Sequence, residues 1–203
     1  MIEKITVDVC IPTYQPGPEF EALLRGLASQ RFLPDRIFVA NTDRTRWKSK
    51  FDRLLQELFP GQYQVIHIEK AEFDHGTVRD RLARMGEGDR ILFMTQDAEP
   101  FDDELIENLL KAFSADDVRA AYARQLPRED CAFLERYTRR FNYPEESRIK
   151  RASDLPKLGI KTFFCSNVCA MYDRKTYLER GGFARPSIFN EDMIYAAGLI
   201  EDG

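Results

Sequence analysis

Four times between residue 5 and residue 113, a short apolar run gives way to a segment with helical spacing. "ITVDVCI" reads as a first strand ended by Pro12, and "GPEFEALLRGLASQ" sets Phe20, Leu23, Leu24 and Leu27 on one helical face. "RIFVAN" is a second strand, followed by a helix "WKSKFDRLLQELF" that Pro60-Gly61 stops. "YQVIHI" leads through the loop "EKAEFDHG" to a helix "TVRDRLARM" ending at Gly86, and "RILFM" leads to the helix "FDDELIENLLKAF". Short connections between alternating strands and helices admit few folds. The pattern predicts an α/β protein with a mostly parallel sheet, helices on both faces and ligands gathered at the carboxyl ends of the strands.

Beyond Ala120 the rhythm changes. "VRAAYARQLP" reads as a strand, and Arg128 to Leu158 is polar and aromatic-rich without clear periodicity. "KTFFCSNVCAMYDRKTYLERGGF" predicts a strand, a turn at Asp173 and a short helix stopped by Gly181-Gly182; "FNEDMIYAAGLIEDG" is a last helix with a polar start. The chain then stops on charged residues and glycine with no further strand, which reads as a truncated C-terminus. No repeat, low-complexity tract or Gly/Ser linker divides residues 1–203, so the expectation is a single domain.

Composition narrows the function classes. A net charge of −4 gives no support for a nucleic-acid partner, although "RTRWKSK" is a local basic stretch suited to a phosphate or an anionic membrane surface. Four cysteines without a CxxC pair and only two histidines argue against a zinc cluster and for reduced thiols in a cytosolic protein. The N-terminal apolar stretch is short and interrupted by Asp8, so it is no signal peptide, and no run approaches a membrane span.

The topology rule directs attention to the polar groups after the first four strands: "PTYQPG", "NTDRT", "EFDHGTVRD" and "TQDAEP". None is a glycine-rich phosphate loop. An anion could be held instead through Mg²⁺ or Mn²⁺, which take few carboxylates and complete their shells with phosphate and water oxygens; Asp97 is the natural ligand, with Glu99 nearby. Spacing alone favours a plainer reading, in which both acids cap a helix starting near Phe101. Asp74, His75 and Gly76 fall in a loop and Arg79 in a first helical turn, where it could clamp a phosphate, pair with a cleft carboxylate or simply face solvent. In "NEDM", Asn190 is a good N-cap, and Glu191 and Asp192 suit the positive end of the helix; a carboxylate held there also suits a general base. Tyr137, Phe141 and Tyr143 form an aromatic patch or cover core. Cys165 and Cys169 read as buried small residues, His67 as a satisfied sheet residue and Trp47 as a helix anchor.

Taken in order, these segments resemble the family 2 glycosyltransferases of the GT-A fold, and within them the bacterial rhamnosyltransferase-like branch. "VDVCIPTYQPG" is similar to the family's first strand and "IPTYN" turn, and "EFDHGTVRDRLA" to the branch's "F-N-H-G-x-T-R-N" segment, here with glycine and threonine adjacent. "RILFMTQDAEP" is similar to "ILFLTQDA.P", the branch's form of the metal-binding DxD motif. "YARQLP", "FNYP", "FFCSNVCAMY" and "GGF" followed by "NED" also match the pattern, so the likeness spans nearly the whole chain.

The resemblance implies an inverting transfer of a sugar, rhamnose in this branch, from a nucleotide-diphosphate donor to an acceptor hydroxyl in cell-surface polysaccharide synthesis. It implies a nucleotide-binding half at residues 1–120 and an acceptor-side half at 121–203. It also implies a dTDP- or UDP-sugar donor, a saccharide or lipid-linked saccharide acceptor, Mg²⁺ or Mn²⁺ at Asp97, and a cytoplasmic site at the inner face of the cell membrane with peripheral membrane association. Asp192 would be the catalytic base. Pro12, Thr13, Tyr14, Asn41, Asp43, Asp74, Gly76, Arg79, Gln96 and Asp97 would bind the donor; Ser166, Asn167 and Glu191 would line the acceptor side. Two positions depart from the pattern: Asn41 stands where the family carries an acid after strand two, with Asp43 two residues later, and Thr95 replaces the first Asp of DxD. A nucleotide-sugar-binding module without catalysis is the alternative. A sugar nucleotidyltransferase is disfavoured by the missing glycine-rich, lysine-bearing loop.

Overall fold

The computed structural model describes residues 5–127 and 131–202. In chain order the elements are β1 (Val7–Tyr14), α1 (Pro18–Ala28), β2 (Arg36–Thr42), α2 (Ser49–Leu58), β3 (Tyr63–Ile68), α3 (His75–Met85), β4 (Arg90–Met94) and α4 (Leu105–Ala112). There follow β5 (Ala120–Tyr122), α5 (Phe133–Asn142), α6 (Leu155–Leu158), β6 (Cys169–Asp173), α7 (Arg174–Glu179) and α8 (Glu191–Glu201). One six-stranded sheet runs in the order β3-β2-β1-β4-β6-β5. The first four strands are mutually parallel, as the alternation predicts, whereas β6 lies antiparallel to both β4 and β5. No helix among the described residues is long and apolar enough to cross a membrane.

Strand pleating sorts the core into two layers. From β1, Val7, Val9 and Ile11 pack with Leu92 and Met94 against Phe20, Leu23 and Leu27 of α1, Phe51 and Leu55 of α2, and Ile106 of α4. On the opposite face Cys10, Phe38, Ile91 and Phe93 meet Val78 and Leu82 of α3 together with Tyr172, Tyr177, Phe183 and Tyr195. Each such side chain contributes about 1.5–3 kcal/mol on leaving water, so both layers are needed to offset chain entropy.

Several boundaries differ from expectation. β1 runs through Pro12 to Tyr14, because its pairing with β4 stops at Cys10 while pairing with β2 continues. With a partner on one side only, a residue lacking an N–H is tolerated. α4 begins at Leu105, not Phe101; Asp102 accepts the Glu104 N–H at 3.0 Å in the preceding turn, and neither Asp97 nor Glu99 caps the helix. β5 is only three residues long. Within the segment that showed no periodicity, α5 is a full helix; residues 128–130 lie outside the described set. Asn190 is no side-chain cap: it sits in the left-handed region at φ 63° and makes no capping bond. The turn after α7 needs its glycines, since Gly181 and Gly182 have φ of 82° and 80°.

A buried staple ties β1 to the start of α7. The Asp8 carboxylate accepts the Gly88 N–H at 2.8 Å and the Arg174 guanidinium at 2.6 Å. Arg174 also donates to the carbonyls of Ala83, Gly86 and Gly88, locking the α3–β4 connection. Removing one partner of such a pair leaves the other charge buried, so Arg174→Ala is expected to lower unfolding free energy by about 3–5 kcal/mol in a urea titration. A loss under about 1 kcal/mol would show that the staple is dispensable.

Candidate active site at the carboxyl end of the sheet

The polar residues at the carboxyl ends of β1 and β2 and just after β4 converge, as the topology rule requires. Thr13 Oγ1 donates to Asn41 Oδ1 at 3.3 Å, and Asn41 Nδ2 reaches the Asp43 carbonyl and His67 Nδ1, each at 3.1 Å. Asn41 is thus fully buried and fully engaged, holding β1, β2 and β3 in register. His67 is the satisfied sheet residue expected, and Trp47 packs against Phe20 and Phe51 as a helix anchor. Gln96 acts as an artificial rung: its Oε1 accepts the Tyr14 N–H at 2.9 Å and its Nε2 donates to the Tyr14 carbonyl at 3.1 Å. β1 and β4 are bridged beyond the point where their ladder ends.

Above this floor lie groups open to solvent in part or in full. Asp43, at φ 67°, accepts from the Thr45 hydroxyl and N–H, which hold its carboxyl below the usual range, with Lys70 3.6 Å away. The Lys70 ammonium also sits 5.3 Å from the Tyr14 ring centre. Lys70 escaped the sequence reading because it lies in a loop with no spacing to mark it; only the third dimension brings it to Tyr14. Asp97 occupies the turn after β4 and its carboxylate is exposed, with no hydrogen bond or ion pair to any described residue. No group of three or more metal-ligating side chains exists among the described residues. One free, hard oxygen ligand fits an ion that takes most of its shell from phosphate and water, and does not fit a protein-only metal cage.

Asp74, Gly76 and Arg79, expected on the donor side, are engaged with the segment leading into α8. Asp74 caps α3 by accepting the Thr77 N–H at 2.7 Å and also accepts the Ser187 N–H at 2.5 Å. Partial burial works against ionisation there, and those hydrogen bonds outweigh it, so the carboxyl is held low. Gly76 lies against the Ala184 carbonyl, where any Cβ would collide with the oxygen. Arg79 is only 4% exposed and pairs with Glu191 at 3.3 Å, its Nη1 also 3.0 Å from His75 Nδ1. Of the roles open to it in the sequence, pairing with a cleft carboxylate is the one observed.

Asn167 joins this pair to Asp192. Its side-chain amide donates to Glu191 at 3.0 Å, its backbone N–H donates to Asp192 Oδ2 at 2.9 Å, and its Oδ1 accepts the Tyr172 hydroxyl at 2.9 Å. Burial pushes the Asp192 carboxyl above the ordinary aspartate value, against the pull of the Asn167 N–H. Ser166 accepts from Gln125 at 3.1 Å, and Gln125 also contacts Tyr143 and Arg139. Tyr172 and Gln125 were invisible as site residues, one reading as core strand and the other as an extended run. Thr95 N–H donates to the Val168 carbonyl at 3.1 Å, which sets the Asp97 turn beside the Asn167 loop.

A second cleft of about 1090 Å³ runs along the edge strand β5 and past Lys150, but none of the expected site residues lines it. Burial there lowers the Lys150 ammonium to about 8.

Residues 8–181 match the model of glycosyl transferase family 2. The chain belongs to that family. Its relatives include the O-antigen chain rhamnosyltransferase RfbN of Salmonella typhimurium, 36% identical over 201 residues, covering 98% of this chain and 62% of that protein. The O-antigen chain rhamnosyltransferase WbaN of Salmonella anatum is 41% identical over 195 residues, covering 95% and 60%. This chain therefore spans about three fifths of the curated relatives it matches. Among solved structures, S. aureus TarS residues 1–349 superimposes with a TM-score of 0.69 at 15% identity over 97% of this chain and 55% of that one. The mannosyltransferase PcManGT of Pyrobaculum calidifontis, solved with GDP-Man and Mn²⁺, gives 0.63 at 19% identity over 98% and 52%. The fold of this family 2 chain is GT-A. Asp97, Arg79 and Asn167 fall inside the family match; Glu191 and Asp192 follow it.

The Arg79–Glu191 pair yields a stability test. Glu191→Ala strands a buried guanidinium and is expected to cost about 3–5 kcal/mol in denaturant unfolding, whereas the double change Arg79→Met with Glu191→Leu recovers most of that loss. A double variant no more stable than the single one would contradict this.

Proposed function

We propose that this chain carries the transfer site of an inverting glycosyltransferase of polysaccharide synthesis. In this reading it moves a sugar from a nucleoside-diphosphate donor to an acceptor hydroxyl. The observation that carries the reading is Asp192, a half-buried carboxylate gripped by the Asn167 N–H in the loop beside the turn of Asp97, which is exposed and has no partner among the described residues. Rhamnose is the sugar favoured by the names of the two Salmonella relatives, with a dTDP- or UDP-linked donor. Solved neighbours of the same fold were crystallised with UDP-GlcNAc and with GDP-Man and Mn²⁺, which supports a nucleotide sugar as ligand class. Family membership disfavours a binding module without catalysis.

The acceptor oxygen attacks the anomeric carbon, the bond from that carbon to the diphosphate oxygen breaks, and the hydroxyl proton passes to Asp192. Attack opposite the leaving group inverts the centre. Burial makes Asp192 a stronger base than a solvated aspartate. Asn167 fixes its direction, and Glu191, neutralised by Arg79, fixes Asn167. Ser166 faces the acceptor side with them. Tyr14 and Asp43 form the base and ribose side over a buried floor of Thr13 and Asn41 beside Pro12, with Gln96 holding Tyr14 in place. Asp97 would hold Mg²⁺ or Mn²⁺ against the diphosphate, and the ion, when bound, would neutralise charge developing on the leaving group. A saccharide or lipid-linked saccharide at the inner face of the membrane is the acceptor class.

Asp97→Ala is expected to weaken donor binding at least roughly tenfold, about 1.4 kcal/mol, and to remove its dependence on Mn²⁺ in calorimetry. Unchanged Mn²⁺-dependent affinity would rule Asp97 out as the ligand.

A further inference from the structure

Helix α5 is amphipathic the wrong way round for a surface helix. Phe133, Leu134, Tyr137 and Phe141 are 84%, 72%, 59% and 56% exposed, while the less exposed positions are Arg136, Arg139 and Asn142. No residue of the helix is buried. Phe133, Tyr137 and Phe141 recur every fourth residue and Leu134 stands beside them, so they share one outward stripe. Tyr137 and Phe141 stack with ring centres 6.2 Å apart. A contiguous outward apolar stripe of this kind marks a partner surface.

Charge identifies the partner. Arg140, seven residues after Phe133, lies on the same side of the helix and is exposed. The Lys161 ammonium lies 3.0 Å from the Phe141 ring centre and donates to the Phe141 carbonyl at 3.0 Å, bringing the 70%-exposed Ile160 to the helix end. Residues 133–161 hold eight Lys or Arg and four Asp or Glu, in a chain whose net charge is −4. Aromatic and aliphatic side chains projecting outward among bases is the pattern of a helix lying in a membrane interface. A second copy suits the patch less well than an anionic surface, because Arg140 and Lys161 beside the outward stripe would find no matching acid on the same stripe of another copy.

We propose that the α5 face docks on an anionic lipid bilayer, with Phe133, Leu134, Tyr137 and Phe141 entering the headgroup region and Arg140 and Lys161 meeting lipid phosphates. The inside of the helix is tied to the acceptor side, since Arg139 contacts Gln125 and Gln125 donates to Ser166. A docked α5 would therefore set the acceptor side of the site close to the bilayer, where a lipid-linked saccharide is anchored. That orientation rests on the transferase reading; the membrane binding does not.

The test is sedimentation of the 203-residue chain, without donor, with vesicles of phosphatidylglycerol and phosphatidylethanolamine or of phosphatidylcholine alone. Partition onto the anionic vesicles is expected to be at least roughly tenfold higher and to fall with added salt. Tyr137→Ser with Phe141→Ser should lower it roughly tenfold, and Arg140→Glu with Lys161→Glu should abolish the preference for anionic lipid, both with unchanged circular dichroism. The proposal is overturned by absent or equal partition onto the two vesicle types, or by partition that neither double variant alters. A dimer in analytical ultracentrifugation that Tyr137→Ser with Phe141→Ser dissociates would assign the face to a second copy instead. Because no donor is present, failure of vesicle binding would overturn the docking proposal and leave the catalytic reading standing.

Discussion

The ion pair between Arg79 and Glu191 is the joint on which the site depends. It links the second turn of α3 to the first turn of α8, two helices far apart in sequence, at a point where both side chains are almost wholly out of water. A buried charge pair of this kind is weak evidence for stability, since desolvation consumes most of its attraction. Its value here is positional. Glu191 is held by Arg79, Asn167 by Glu191, and Asp192 by the Asn167 N–H. Asn167 is further held by the Tyr172 hydroxyl, so the link between Glu191 and Asp192 is fixed from the core as well.

The sheet supplies the rest of the geometry. Parallel strands β1, β2 and β4 end on one side, and side-chain bonds extend their order past the last ladder rung: Thr13 to Asn41, Asn41 to His67, Gln96 to Tyr14. β6 enters antiparallel, so it is the residues before it, Ser166 and Asn167, that arrive at the same end. The reversal of one strand thereby brings the Ser166–Asn167 loop next to the Asp97 turn. Two different sets of loops face each other across the strand ends, one carrying exposed acids and an aromatic ring, the other a gripped carboxylate.

Much of this was legible in the residues. The four-fold alternation predicted the parallel core because each strand buries both faces and each helix one stripe, and those periodicities survive in the linear chain. The ordered segments around Thr13, Asp97, Asn167 and Asp192 carried the family. Less was legible where a side chain's partner lies far along the chain. Spacing reads Asp97 and Glu99 as helix caps, and the structure starts that helix at Leu105, leaving Asp97 without a partner among the described residues. Asn190 looked like a cap and instead turns left-handed to admit α8. Arg79 suited an anion equally well until its burial against Glu191 was seen. In α5 the stripe of Phe133, Tyr137 and Phe141 is present in the sequence, but periodicity alone assigns such a stripe to the core, and here it points outward.

The central claim is that Asp192 takes the acceptor proton while the donor is held elsewhere, and Asp192→Asn separates those two tasks. With a nucleotide-diphospho-sugar donor and an acceptor that the wild type glycosylates, turnover and donor affinity are measured side by side. The account predicts a fall in kcat of roughly 10²–10⁴-fold with donor Kd within about twofold of wild type. A variant that keeps turnover within roughly tenfold of wild type would contradict the assignment of Asp192 as the base.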